Sequence, residues 1–470
     1  MDTITHGIVG ALTGKALFAG RDIPAGGGDG GAARAISSPT ARAAIVACCL
    51  GSMFPDIDIF AGPLARNPLA IMEWHRNITH SAVILPIWAL LLTIVSIHVA
   101  RALKWQTPPF LTLFAIYAVG IATHIFLDLV TNFGTMVWSP LRYSRPAWDW
   151  IFIVDLTLTG IALVPQLAAW CYRRPGQFWR RAIAVWIALT AGALGTYLFA
   201  NSAGYGFPIV VVAFVSAIFA VLIFVPAVQG TCFRWTRAGW CRVGLAVLCA
   251  YIGLAAVTHH KALADVERFA AAQHLQVESL AALPLPPTFT HWVGLVSTPE
   301  GVWRTTFHEP SGAAETTQLY GDAQSRDLIE QARKLHDVQI FLWFARYPVW
   351  RVRQREGQQT VVEISDVRFF RENVPDAATD PQSSEGGSSK IRPRAAGFTF
   401  DVVFDAAGHI ISHGFREPEY QSCLDVPLFF NWRGKRQPAA LRPRLRFRCG
   451  RRTLLSRRDA GCAVRAKTSH

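Results

Sequence analysis

The chain has 470 residues, 51% of them apolar, a mean hydropathy of +0.26 and a formal charge of +14. That length and apolarity exclude a single ordinary soluble domain and make membrane residence the first expectation. The charge does not argue for a nucleic-acid partner, because residues 431–470 alone hold thirteen Lys or Arg against the single acid Asp459, a net +12, and such a run reads as a solvated, disordered tail.

In chain order, the first residues, MDTITHGIVGALTG, lack a basic leader and place His6 where the apolar core of a signal peptide should stand, so targeting is expected from internal spans. Two weaker apolar segments come first, about 4–20, interrupted by Lys15, and 43–61, ending in FPDID. The Gly-rich stretch GGGDGG separates them. Six firm stretches follow, at about 81–100, 109–130, 151–171, 182–200, 207–228 and 240–258. Each is close to the roughly 20 residues that cross about 30 Å of hydrocarbon.

After His259 the sequence ALADVERFAAAQHLQ predicts a short helix, and LPLPPTF predicts a Pro-rich linker. The runs VQIFLWFARYPVWRVR, TVVEISDVRFF and FTFDVVFD alternate with period two and predict a small antiparallel β domain. The insert NVPDAATDPQSSEGGSSKIRPRAAG reads as a flexible loop. The nine cysteines show no CxxC, and those inside apolar runs (Cys48, Cys49, Cys171, Cys249) read as small buried residues. A bridge among Cys423, Cys449 and Cys462 has no spacing to support it.

The expected fold is an α-helical integral membrane bundle, six firm spans plus two weaker N-terminal helices, followed by a small C-terminal β-rich domain. Its parts are a polar-site helical core (1–160), additional spans (161–258), a helical linker (259–288), the β-rich region (289–430) and the basic tail (431–470). The loops after the first, third and fifth firm spans carry most of the short-loop Arg and Lys, which makes that side cytoplasmic and places the β domain outside the cytoplasm.

An ionisable side chain at the centre of a span costs about 2.5–3.5 kcal/mol on insertion scales, so each calls for a partner. Here they come as a set. In THIFLDLVTNFGT, His124 and Asp128 lie four apart on one helix face. In EWHRNITHS, His75 and His80 flank an expected helix start, with Thr79 and Ser81 as candidate caps. Asp56 and Asp58 can face one cavity if FPDID is extended. Span parity then brings His75, His80, His124 and Asp128 to one membrane face, together with Asp149, Asp155 and, if the weak segments form a hairpin, His6. Isolated histidines such as His98, His259 and His260 read instead as interfacial residues. Mixed imidazole and carboxylate donors suit a divalent metal, Zn or Mn first, in one copy or two.

These motifs, Thr5-His6-Gly7 with Gly10, then FPDID, HRNITHS, HIFLD and TNFGT followed by Pro140, resemble the YdjM-type family of membrane-bound metal-dependent hydrolases, some of whose members are regulated by the LexA repressor. The resemblance covers roughly residues 1–160. It implies a bacterial inner-membrane location and a polar site of His6, Asp56, Asp58, His75, His80, His124 and Asp128, with Arg76 placed to meet an anionic oxygen and Asp155 at a further acidic position. The expected activity is metal-assisted hydrolysis of an ester or phosphoester, of a lipid or lipid-linked molecule, with Asp56 or Asp58 bridging metal or acting as base. An ion-coupled carrier is one alternative, and an envelope protein with a structural metal and a working β domain is another. On the hydrolase reading, removal of residues 289–470 is expected to leave the metal site in place.

Overall fold

The computed structural model describes residues 1–18, 39–65, 69–202, 208–230, 235–286, 289–308, 312–321, 326–355, 358–370 and 398–416, all within one compact unit, Met1–Leu428. The Gly-rich stretch, the insert after Asn373, the basic tail and Cys423, Cys449 and Cys462 lie outside the described residues.

The helical part comprises α1 (Thr3–Leu17), α2 (Pro39–Met53), α3 (Ala61–Ala65), α4 (Ala70–Glu73), α5 (Leu85–Ala102), α6 (Phe110–Leu129), α7 (Leu156–Tyr172), α8 (Phe178–Ser202), α9 (Val210–Val228) and α10 (Arg237–Ala272). Among the described residues six helical stretches are long and apolar enough to cross a membrane: Pro39–Phe60, Leu85–Ala102, Phe110–Leu129, Pro175–Ser202, Val210–Val228 and Arg237–Ala272. The number agrees with the sequence reading, but the membership differs. Pro39–Phe60 qualifies because a 3₁₀ turn, Phe54–Phe60, prolongs α2. The stretch read as 151–171 yields only 17 helical residues, because the Asp155 carboxylate accepts from the backbone N–H of Thr157 and Leu158 and so starts α7 late.

Small residues let the inner helices touch backbone to backbone. A Cβ on Gly10 of α1 would lie 2.9 Å from the Cys48 carbonyl of α2, and one on Gly120 of α6 would lie 2.7 Å from that same oxygen. Close approach of this kind is how apolar helices associate where no hydrophobic force separates helix from lipid. Lys15, which interrupts the first apolar segment, donates to Gln166 Oε1 of α7 at 2.5 Å, so α1 keeps a charge inside the bundle by pairing it.

The last span does not end near His259. Helix α10 is continuous over 36 residues, roughly 54 Å at about 1.5 Å per residue, so its C-terminal part continues beyond the hydrocarbon. There Ala262, Val266 and Ala270 pack on Trp292, Val296 and Phe307 of the β region.

That region holds two four-stranded antiparallel sheets in simple sequential order, β1 (Ser279–Leu285), β2 (His291–Thr298), β3 (Gly301–His308) and β4 (Ala313–Gly321), then β5 (Pro348–Arg355), β6 (Gln359–Asp366), β7 (Thr399–Phe404) and β8 (Ile410–Phe415). Between the sheets run α11 (Arg326–Arg333) and α12 (His336–Phe344). Two local expectations change. The stretch read as a Pro-rich linker supplies β1, whose Pro284 is tolerated because β1 is an edge strand. The run VQIFLWF, read as alternating, is helical: Val338, Phe341 and Phe344 recur every three residues and are all buried, a helix stripe rather than a strand face.

Gly120→Leu should break the α2–α6 contact, seen as a lower unfolding midpoint and a broadened size-exclusion peak in detergent. Gly160→Leu is the control, because nothing lies within 4 Å of a Cβ there.

Candidate metal centre

Four separate pieces of chain build the site. On α6, His124 and Asp128 stand one turn apart on the inward face, both fully buried. The close approach at Gly120 brings α2 near enough for His124 Nδ1 to bond the Ser52 carbonyl at 2.7 Å. A carbonyl accepts only from an N–H, so the His124 proton sits on Nδ1 and Nε2 is left as a lone-pair donor.

Pro55, at the start of the Phe54–Phe60 turn, ends α2. FPDID is therefore a 3₁₀ helix and not extended, and residues two apart in it point about 240° apart. Asp56 and Asp58 consequently reach His80 from opposite ends of its ring: Asp58 Oδ2 is 3.1 Å from Nδ1, and Asp56 Oδ1 is 3.6 Å from Nε2.

The HRNITHS segment is not a helix start, since α5 begins only at Leu85. Arg76 takes a left-handed conformation, φ +61°, which costs a non-glycine residue roughly 1–2 kcal/mol. Its backbone N–H donates to Asp58 Oδ2 at 3.0 Å while its guanidinium lies 3.0 Å from Asp128 Oδ1 and donates to Thr131 Oγ1 at 3.1 Å. Thr79, expected as a cap, instead gives its hydroxyl to Asp58 at 2.7 Å. Ser81 does not cap α5 either: its Oγ accepts from the N–H of Val83 and Ile84 in the turn that precedes that helix.

From α1, His6 Nε2 lies 3.1 Å from Asp128 Oδ1 and its ring stacks on His124 with centroids 3.6 Å apart. The α-amino group of Met1 also donates to Asp128, and the Thr3 hydroxyl donates to Asp56 at 2.6 Å.

All seven proposed ligands and Arg76 therefore lie in one connected network, but with different parts in it. Asp56, His80, His124 and Asp128 each present one donor atom, and these four atoms lie within 4.8 Å of one another. The His80 Nε2 to His124 Nε2 separation is 2.9 Å, and the imidazole to carboxylate separations are 3.2–3.6 Å. A tetrahedral ion with bonds of about 2.0–2.1 Å spaces its ligand atoms about 3.3 Å apart, so this donor set fits a divalent cation. Two further observations agree. Asp128 Oδ2 is buried and meets only imidazole nitrogens, His80 Nε2 at 3.2 Å and His124 Nε2 at 3.4 Å. Among the described residues, no Lys or Arg pairs with Asp56, whose close side-chain partners are His80, His124 and the Thr3 hydroxyl.

Asp58 and His75 stand behind that quartet. Asp58 takes donors from His75 Nδ1 at 2.8 Å, His80, Thr79 and Arg76. Such a carboxylate fixes the orientation of a metal-binding imidazole. Burial holds His75 below the usual imidazole range despite Asp58 beside it, so the ring is neutral at pH 7. For His80, burial works against the charged ring, but hydrogen bonds to Asp128, Asp56 and Asp58 carry its pKa up to about 10.

Asp149 and Asp155 lie outside the centre. Asp155 caps α7 and accepts from the Tyr251 hydroxyl at 2.6 Å. Asp149 pairs through both oxygens with Arg346, each at 2.9 Å. The sequence reading missed Ser52, which acts through its backbone carbonyl and so leaves no residue-type signal. Arg145 likewise carries no signal of a role in the sequence. That side chain donates to the carbonyls of Met72, His75 and Gly134, and burial with Arg76 and Arg368 nearby pulls its pKa down to about 9.

Among known proteins, the sequence model of the YdjM inner membrane protein family matches residues 1–205. No curated protein and no solved structure matches the chain.

Calorimetric titration of Zn or Mn into the purified protein should separate the two layers. Asp58→Asn should weaken binding roughly 10–100-fold, the cost of losing a ligand-orienting partner, whereas Asp128→Ala should abolish it.

Proposed function

From the premise that residues 1–205 match the YdjM inner membrane protein family, we propose a membrane-bound, metal-dependent hydrolase acting on an ester or phosphoester of a lipid or lipid-linked molecule, near the outer membrane-water boundary of the inner membrane. The observation that carries this reading is the buried quartet Asp56, His80, His124 and Asp128, whose donor atoms are spaced for a divalent cation. When bound, Zn or Mn supplies Lewis acidity, polarising the substrate oxygen and acidifying water.

The other residues have separable tasks. His75 is held at Nδ1 by Asp58, which leaves Nε2 to accept a proton, the arrangement of an imidazole base oriented by a carboxylate. These two keep a small opening to the surface, with side chains 12% and 7% exposed. Arg76 Nε is buried and without a hydrogen bond, so one N–H remains for an oxyanion while the terminal nitrogens are held by Asp128 and Thr131.

Elemental analysis of the purified protein beside His80→Ala and Asp128→Ala tests the centre. Bound Zn or Mn is expected in the parent and absent from both variants, and a parent without metal, or variants with unchanged content, would remove the reading. In single-turnover assays on phospholipids with added divalent metal, Arg76→Lys should retain the ion and lose about 10²–10³ in rate, the effect of removing one oxyanion donor. Equal rates for Arg76→Lys and parent would sink its assigned role.

A further inference from the structure

The family match ends at residue 205, yet the β region is built into the centre. Phe133, in the loop that leaves α6 just after Asp128, belongs to the buried core of the second sheet. Its ring meets Phe344 at 5.2 Å on the β side, and His75 at 5.7 Å and the Arg76 guanidinium at 4.8 Å on the other. Arg145, which clamps the carbonyl of His75, lies over Phe133 and Phe344. Arg368, its side chain 1% exposed, donates to the Asn132 carbonyl at 2.9 Å. Arg368 is held mainly by Asp366 of its own sheet, so this bond to Asn132 and the half-buried Arg346 to Asp149 pair tie the β region to the loops around the centre. Pulling the region away would leave Asp149 without its cation and Phe133 bare, which makes it a fixed part of the site.

The small opening at His75 and Asp58 has a different lining. Their chain neighbours Ile57, Phe60, Trp74 and Ile78 are all exposed. This apolar rim runs into the outward face of α5, where Ile87, Leu91, Ile94 and Val95 are exposed as well, and Trp88 of α5 joins the two by donating to the Ile78 carbonyl at 3.0 Å. A rim of that kind around a polar opening is unfavourable in water and natural against acyl chains.

We propose that the β region is a permanent cover over the centre's aqueous side, and that substrate enters sideways from the bilayer across the Ile57, Phe60, Trp74 and Ile78 rim. The substrate class is then an amphiphile whose acyl part stays among lipids while its anionic ester head moves under the cover toward Arg76. The chemistry rests on the hydrolase reading; the route and the cover do not.

The full-length protein, reconstituted in vesicles of phosphatidylethanolamine and phosphatidylglycerol, provides the test. Benzoylphenylalanine in place of Phe60 or Ile78 should form lipid adducts on illumination, and no lipid adduct at either position overturns the lateral route. Amide hydrogen exchange in residues 131–136 should be slow in the parent and faster by roughly a hundredfold in Phe344→Ala, the effect of deleting a buried aromatic anchor. If that variant does not fold, Phe344→Leu should show the same direction. Unchanged exchange in these variants overturns the cover. Turnover separates this proposal from the one it rests on. Faster hydrolysis of a water-soluble short-chain phosphatidylglycerol than of the vesicle lipid defeats the bilayer route and leaves the hydrolase standing. No hydrolysis of either, with metal bound and lipid adducts formed, defeats the hydrolase and leaves the route.

Discussion

Three carboxylates buried in one small volume of a membrane bundle are the constraint around which the rest of this structure is arranged. Asp56, Asp58 and Asp128 cannot be left unpaired in so apolar a setting, and every feature near them supplies a donor or a charge. Histidines arrive from three separate segments, Arg76 accepts a left-handed backbone to reach Asp128 while its N–H serves Asp58, and α1 brings His6 and Thr3 into the same network.

The glycines are the mechanical counterpart of that electrostatic demand. Gly10 and Gly120 let α1 and α6 approach the α2 backbone closely. Only at that distance can the Ser52 carbonyl fix the His124 ring and leave Nε2 facing the carboxylates. Packing and chemistry are thus one requirement here, since bulk at the helix contact would move the ligand.

The β region obeys the same logic from outside the bundle. Arg368 adds a bond to the Asn132 carbonyl to its pairing with Asp366, Arg346 pairs with Asp149, and the aromatic core closes around Phe133. Removing residues 289–470, expected to leave the metal site in place, would also strip these contacts from Phe133, five positions from Asp128. The alternation in the sequence announced strands but could not show what they would pack against.

Much was legible in the sequence because it rests on local chemistry. The apolar stretches, the i and i+4 pairing of His124 with Asp128, and the unusual presence of His and Asp near spans follow from hydrophobicity and helix period alone, and span parity placed the polar residues on one face before any coordinates. What only the tertiary structure decided was the division of labour among them. Asp56 and Asp58 are neighbours in sequence, yet a 3₁₀ turn sends them to opposite ends of the His80 ring, so that one joins the donor quartet and the other stands behind it. Direction at that scale depends on backbone torsions set by packing, and residue spacing does not encode it.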